Sequence, residues 1–340
     1  MRGPLAAALA SLLAADTALP LHSAPAPGAR ATSRTLAPTS TPPSRRVTRL
    51  KITVLSTMLA ERGKGEWGYA ALVEVDGRRI LFDTGNGPET VLSNARALNV
   101  DLSTVTDVVL SHNHADHTGG LLALRRELMR TNPTALSRVH VARGIFWSRA
   151  SRDPAREGNS MLALRGAFAA TGATFVEHDG PAELLPGVWF TGPVPRTHAE
   201  RNWSGTGRAR TPAGEVEDNV PEDASLVFDT PDGLVLLTGC GHAGVVNTVE
   251  YARKLLRAAP LHAVVGGLHL FQASDSVLAW TGARLRAAGV RHLLAGHCTG
   301  IEATYLLRRA AGLDRRTAVV SATGSSFSLE HGIDPLSLAR

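Results

Sequence analysis

Twice along its length this 340-residue chain sets down short β-rich runs joined by a tight turn and then alternates helical and extended segments. In the first half the runs are residues 51–56, 70–75 and 79–83, the last two joined at Asp76-Gly77, a two-residue hairpin signal. A helical pattern over 88–98 opens at Pro88, and an apolar strand over 105–110 ends at Ser111. Helices over 119–130 and 160–171 alternate with strands over 138–142, 173–177 and 187–191. In the second half, strands over 225–229 and 233–238 flank Pro231-Asp232-Gly233. Helices over 246–258, 276–288 and 301–312 then alternate with strands over 262–266, 291–295 and 316–321. Residues 193–222, rich in Gly, Pro and Arg, read as loop. Hairpins followed by helix–strand alternation, twice over, predict an α/β chain: two β-sheets packed face to face with helices outside, a four-layer αββα sandwich.

Composition removes several classes of function. Mean hydropathy near zero excludes a polytopic membrane protein, and two cysteines exclude a disulfide-built scaffold. The net charge of +6 invites a nucleic-acid reading, but residues 1–50 carry +5 of it, with six Arg against Asp16. A nearly neutral body makes no electrostatic case for a phosphate-backbone binder. No Walker loop or dinucleotide fingerprint is present.

The leader has its own pattern. Arg2 precedes an apolar run from Leu5 to Ala15, and small residues follow around Ser23, Ala24 and Ala26. This is the layout of a secretory signal, too short for a bilayer span of ~20 residues. It predicts export to the periplasm or outside; an Ala-rich extension or an early start, with a cytoplasmic protein, is the other reading. Residues 1–47 are read as leader plus Pro/Ser/Thr-rich linker, 48–330 as one catalytic domain and 331–340 as a C-terminal tail.

The chemistry concentrates at 111–120, SHNHADHTGG, directly after an apolar strand. Imidazole and carboxylate suit a borderline-soft divalent ion. In an extended stretch i and i+2 point the same way, so His112 and His114 can grip one ion. Asp116 and His117, past the next bend, can reach a second, and Gly119 and Gly120 would let the chain turn sharply into the next helix.

These residues resemble the metallo-β-lactamase superfamily, whose fingerprint is His-x-His-x-Asp-His after a strand. The resemblance covers about residues 50–325, and the LFDTG at 81–85 resembles that fold's first motif, with Asp83 supporting the site. More narrowly, 112–120, TGPVPR at 191–196, GCGHAG at 239–244, GGLHL at 266–270 and HCTG at 297–300 resemble a branch that includes dihydropterin-ribofuranosylaminobenzene phosphate synthases and many uncharacterised hydrolases. The resemblance implies a metal ligand at His297 and Cys240 in the position where the superfamily usually carries a bridging Asp. His242 completes the first ion, with His198 in the preceding loop as a weaker alternative. Cys298 is expected to point away. His269 and Arg196 are read as facing substrate or supporting the ligands, Arg196 as a grip for an anionic group. Glu66 and Trp67 stand in a Gly-rich stretch that the fold uses as a lid, with Trp where the branch often has His.

The reaction this implies is hydrolysis. Two divalent ions, zinc first and Mn²⁺ or Fe²⁺ as alternatives, would activate a bridging hydroxide, with Asp116 orienting it. The expected substrate is a small ester, lactone or phosphoester. A pterin-synthase-like transferase is the second reading, and a non-catalytic metal- or ligand-binding protein the third.

Overall fold

The computed structural model describes residues 45–337, apart from 152, 154, 201 and 203–206. The expectation of a signal segment therefore lies outside the described residues.

Two large sheets carry the fold. The eight-stranded sheet runs in the order Gly332–Asp334, Ser326–Ser328, Leu50–Ser56, Ala70–Val75, Arg78–Phe82, Asp107–Val109, Arg138–Ala142, Thr174–His178. The seven-stranded sheet runs Ala318–Val320, His292–Ala295, Leu261–Gly266, Gly233–Thr238, Ser225–Thr230, Val188–Phe190, Ala182–Leu185. Each sheet is antiparallel through its hairpin and parallel where helices make the crossovers. In the first hairpin Val75 pairs with Arg78 across Asp76 and Gly77, both at positive φ, the geometry a two-residue primed turn requires.

Alternation along the strands sorts side chains into three apolar layers. Ile52, Val54, Val73 and Phe82 from one sheet meet Leu226, Phe228, Val235 and Val265 from the other. The outer face of the seven-stranded sheet packs on helices Val245–Leu255, Asp275–Ala287 and Ile301–Ala311. That of the eight-stranded sheet packs on Thr90–Ala97, Leu121–Leu128 and Met161–Ala169. Helix Val245–Leu255 shows the pattern behind this: Val245, Val246, Val249 and Ala252 recur at helical spacing and are buried against Leu234 and Leu236. The layers are thus αββα, as the sequence predicts.

Some segments differ from expectation. The stretch 193–222 is not all loop: Arg208–Thr211 and Gly214–Glu217 form a hairpin that pairs onto Ser148–Arg149. Its apolar face holds only Ala209 and Val216, of which Ala209 alone is buried, too little for an alternation test to find. The predicted tail is not all tail, because Gly332–Asp334 is an edge strand paired with Ser326–Ser328. At the other end Val47 is already buried, and its N–H bonds Asp229 O at 2.8 Å.

Candidate metal centre

Every strand that feeds this site does so from its carboxyl end, where the chain leaves the sheet and open α/β sheets place their ligands. Asp83 follows Arg78–Phe82, and residues 111–117 follow Asp107–Val109. Cys240 and His242 follow Gly233–Thr238, His269 follows Leu261–Gly266, and His297 follows His292–Ala295. Residues separated by up to 214 positions in sequence converge because the two sheets face each other with these ends on one rim.

Two groups of donors result. His112, His114 and His242 bring ring nitrogens within 4.8 Å of one another, and so do the donor atoms of Asp116, His117 and His297. Cys240 lies between the groups: its Sγ is 3.1 Å from His117 Nε2 and belongs to one cluster with His112 and to another with His297. The expected ligands are thereby brought together, while His198 is not among them. It turns away to Glu250, 2.9 Å from its Nε2.

The far sides of three rings, His112, His117 and His242, are held. Asp83 Oδ2 lies 2.8 Å from His117 Nδ1, and both Asp83 oxygens accept from Ser111, at 2.8 Å from its N–H and 2.8 Å from its hydroxyl. Ser111 Oγ is in turn 2.9 Å from His112 Nδ1. His242 Nδ1 donates to Asn202 O at 2.5 Å. With their Nδ1 atoms engaged, His112 and His242 present buried Nε2 atoms that have no partner. His297 Nε2 lies 3.3 Å from Asp116 Oδ2 without the alignment of a hydrogen bond, and its Nδ1 has no partner. Buried polar atoms are nearly always satisfied, so unpartnered nitrogens aimed into one space fit a cation. Residues this mixed in donor type suit zinc or a similar divalent ion.

Backbone strain collects here too. Of the eight non-glycine residues with positive φ among those described, Asp83, His269 and His297 line this site. Each such residue costs ~1–3 kcal/mol and persists only where its surroundings fix it. Gly119 and Gly120 serve a different purpose from the one expected. Both have helical, negative φ; what they provide is close approach, since a Cβ would meet Asn86 O at 2.1 Å or Thr84 O at 2.2 Å.

The comparisons with known proteins agree with this geometry. A family model described as the metallo-β-lactamase superfamily matches residues 67–130. A 7,8-dihydropterin-6-methyl-4-(β-D-ribofuranosyl)-aminobenzene-5′-phosphate synthase of Methanocaldococcus jannaschii is 30% identical over 271 residues, covering 76% of this chain and 90% of its own. This chain belongs to the metallo-β-lactamase superfamily. An uncharacterized protein of the same organism is 27% identical over 243 residues, covering 69% of this chain and 85% of its own. The crystal structure of a metal-dependent hydrolase of the β-lactamase superfamily superposes with a TM-score of 0.63 at 27% identity, over 77% of this chain and 93% of that one.

Within this superfamily member, electrostatics divide the donors. Burial and the neighbouring rings His117, His114 and His242 hold His112 well below the usual imidazole range; burial likewise brings His114 down to about 4. Burial opposes protonation of His117, yet Asp116 and Asp83 raise it to about 9. Asp116 stays ionised despite its burial because His117 and His297 face it. Burial pushes the Cys240 thiol up; at Cys298, burial is outweighed by the hydrogen bond with Cys240 and by His297 and His269, which draw it down.

Other residues matter that no motif announced. Asp223 is buried and its Oδ2 accepts the Ala243 N–H at 2.8 Å, fixing the turn that carries His242. Glu200 accepts the N–H groups of Val246 and Asn247, capping the following helix from another loop. Arg196, expected to face substrate or to support the ligands, contacts the loop that carries His242. It donates to His242 O at 2.9 Å and to the carbonyls of Asn219 and Val220, so it braces the ligand loop. Arg201 and Trp203, in the same loop, lie outside the described residues. Cys298 does not point away: its Sγ is 3.1 Å from Cys240 Sγ. His269 stands at the outer edge, its ring 4.4 Å from that of His242, lining a cavity of about 750 Å³ with Phe271, Trp280, Glu200 and Gln272. A larger hollow of about 1230 Å³ lies between residues 48–51 and 328–335, with none of these donors. Glu66 is fully engaged, accepting from Ser56, Asn86 and Gly87, which leaves Trp67 exposed over His297 at a ring distance of 5.1 Å. Among the described residues no helix is long and apolar enough to cross a membrane.

Proposed function

We propose that this protein is a metal-dependent hydrolase with two divalent ions, zinc in the first instance, acting on a small ester or lactone. The observation that carries the reading is the set of buried, unpartnered imidazole nitrogens on His112, His242 and His297, converging with Asp116, His117 and Cys240. His112, His114 and His242 would hold one ion, and Asp116, His117 and His297 the other, with Cys240 between them. Such a pair supplies Lewis acidity and a nucleophile drawn from water at neutral pH. The protein's own part is positional. Asp83 and Ser111 fix ring orientation, and Asp116, ionised and partly exposed, faces the space where a scissile group would lie. His269, between the donors and the cavity, stands where it can hydrogen-bond the substrate.

The cavity favours an ester or lactone over a phosphoester. Phe271, Val277 and Trp280 are exposed there, Trp67 lies 5.5 Å from Phe271, and no Lys or Arg is among its described lining residues. An apolar or aromatic portion of a neutral substrate fits such a wall. The second reading, a transferase, is supported by the synthase of M. jannaschii.

The test is metal content and turnover of the full chain, wild type and Asp116→Ala, with an aryl ester, a lactone and an aryl phosphodiester. The expected result is about two ions in the wild type, fewer in the variant, and carboxyl-ester or lactone hydrolysis lost with the metal. Two ions without hydrolysis of any of the three move the weight to the transferase, and no bound metal refutes both.

A further inference from the structure

Both cysteines of the chain lie in one place. Cys240 leaves the strand Gly233–Thr238 and Cys298 follows His292–Ala295, and each is buried and free. Their sulfurs are 3.1 Å apart, and the donor atoms of Cys240, His297 and Cys298 all lie within 4.8 Å of one another. The backbone makes this deliberate. Along an extended strand His297 and Cys298 would point to opposite faces. Here His297 has a φ of 50° and opens the 3₁₀ turn His297–Thr299, which brings the ring and the following sulfur into the same space. Cys298 Sγ also receives the His269 N–H at 3.3 Å, and a side chain at Gly267 would collide with it at 2.8 Å. The sulfur is thus held by a donor of the kind that stabilises thiolate, in a pocket kept clear for it.

We propose that Cys298 is a metal ligand beside Cys240 and His297, which makes this end of the centre a thiolate site selecting a thiophilic divalent ion. The inference rests on the metal centre described under Proposed function, and it concerns which atoms bind rather than what is hydrolysed. Two thiolates on one zinc at ~2.3 Å stand about 3.8 Å apart, so a small side-chain rotation from the present 3.1 Å suffices. Each thiol gives its proton to solvent as the ion binds, and no oxidant takes part. Charge favours the arrangement as well. Two divalent ions in a buried site need more than Asp116 and a single thiolate to offset them, and a second thiolate brings the cluster nearer neutrality. Thiolate donors favour zinc, whereas oxygen donors favour magnesium or manganese.

The test uses the full chain, stripped of metal and titrated with Co²⁺. The thiolate-to-cobalt charge-transfer band in the near ultraviolet reports sulfur ligation independently of turnover. The expected result is loss of about a third of the band in Cys298→Ser, about two thirds in Cys240→Ser, and all of it in the double variant, because each cobalt–sulfur bond contributes its own transition and Cys240 stands between both ions. A full band in Cys298→Ser with none in Cys240→Ser overturns the proposal. Should a variant misfold, X-ray absorption at the zinc edge of the wild-type protein counts sulfur neighbours directly. With Cys240 between the two ions, three zinc–sulfur bonds per molecule support the assignment, and two or fewer refute it while leaving the metal centre standing. Absence of any bound metal refutes both.

Discussion

Replacing Asp83 by Asn separates the two proposed ion positions and carries a definite pH signature. Asp83 is fully buried, 2.8 Å from His117 Nδ1, on the side of the ring opposite the donor nitrogen that faces Asp116 and Cys240. Asn is the apt substitution because its side chain tolerates the φ of 55° found there. The amide keeps an acceptor but loses the charge that makes His117 a strong ligand. Loss of such a carboxylate behind a ligating His costs ~10–100-fold in metal affinity, about 1.4–2.7 kcal/mol. An opposing effect also operates. In the metal-free protein Asp116 and Asp83 hold His117 at about 9, so at pH 7 a proton must be displaced before the ring can bind. That competition weakens the wild-type ion by roughly 100-fold at pH 7 and disappears above pH 9. Asp83→Asn lowers the His117 pKa and relieves part of it.

The expected outcome is a deficit in Asp83→Asn of 10–100-fold for the ion at Asp116, His117 and His297, measured above pH 9 by chelator competition, that narrows towards pH 7. The ion at His112, His114 and His242 changes much less. Ser111→Ala supplies the mirror image, because Ser111 Oγ contacts His112 Nδ1 as well as Asp83. It weakens the first ion more than the second. A deficit independent of pH, or equal losses at both positions in both variants, refutes this account of how the ligands are supported.

Three further outcomes follow from other parts of the molecule. Burial raises Asp223 from 3.8 to about 6, so its neutral form is favoured in the fold; the associated stability is full below pH ~4 and falls as pH rises through 6, by at most about 3 kcal/mol. Asp223→Asn is therefore expected to gain urea stability relative to wild type at pH 8 compared with pH 5, and an unchanged difference between the two pH values contradicts this. Phe271→Ala and Trp280→Ala should each raise KM for an aryl ester about 10-fold, with kcat and metal content held, since aromatic contacts contribute ~0.5–1.5 kcal/mol beyond burial; a fall in kcat alone argues against a binding wall. Removing metal with a chelator should lower Tm by on the order of 10 °C, as ions at a thousandfold their Kd add about 4 kcal/mol to the folded state; equal Tm values with and without metal would mean that the donors stand unoccupied in solution.

What could be read from the sequence and what could not divides along a physical line. Asp107–Val109 and Gly233–Thr238 are buried apolar runs, and Val245–Leu255 has an amphipathic stripe; each reports its own state through local periodicity. The hairpin Arg208–Thr211 with Gly214–Glu217 was hidden because it buries little beyond Ala209 and so has no alternation to show. The ligands at 112–117 were legible because four donors fall within six residues, and no core needs that density of polar side chains. Ser111, Asp223, Glu200 and the Asn202 carbonyl were not, because each depends on hydrogen bonds to residues 20 or more positions away in the chain, and a lone Ser or Asp in a loop looks the same whether or not it has such a partner.

Cys298 shows why the second class resists a linear reading. The rule that neighbours on an extended strand face opposite ways sends it outward if His297 faces in. That rule fails once His297 takes a positive φ, and nothing in the letters HCTG announces the change. The strain is sustained by tertiary contacts: Thr57 Oγ1 accepts the His297 N–H at 3.1 Å from 240 residues away, and Thr299 Oγ1 accepts the Leu268 N–H at 2.9 Å. Close packing of the rim permits this turn and few others, as a Cβ on Gly296 would meet Ser321 Oγ at 1.9 Å and one on Gly239 would meet Ser111 Oγ at 2.1 Å. The two sheets therefore do more than carry ligands to a common edge. By pressing their strand ends together they select a backbone conformation that an isolated segment would reject, and that conformation places a second sulfur among the donors.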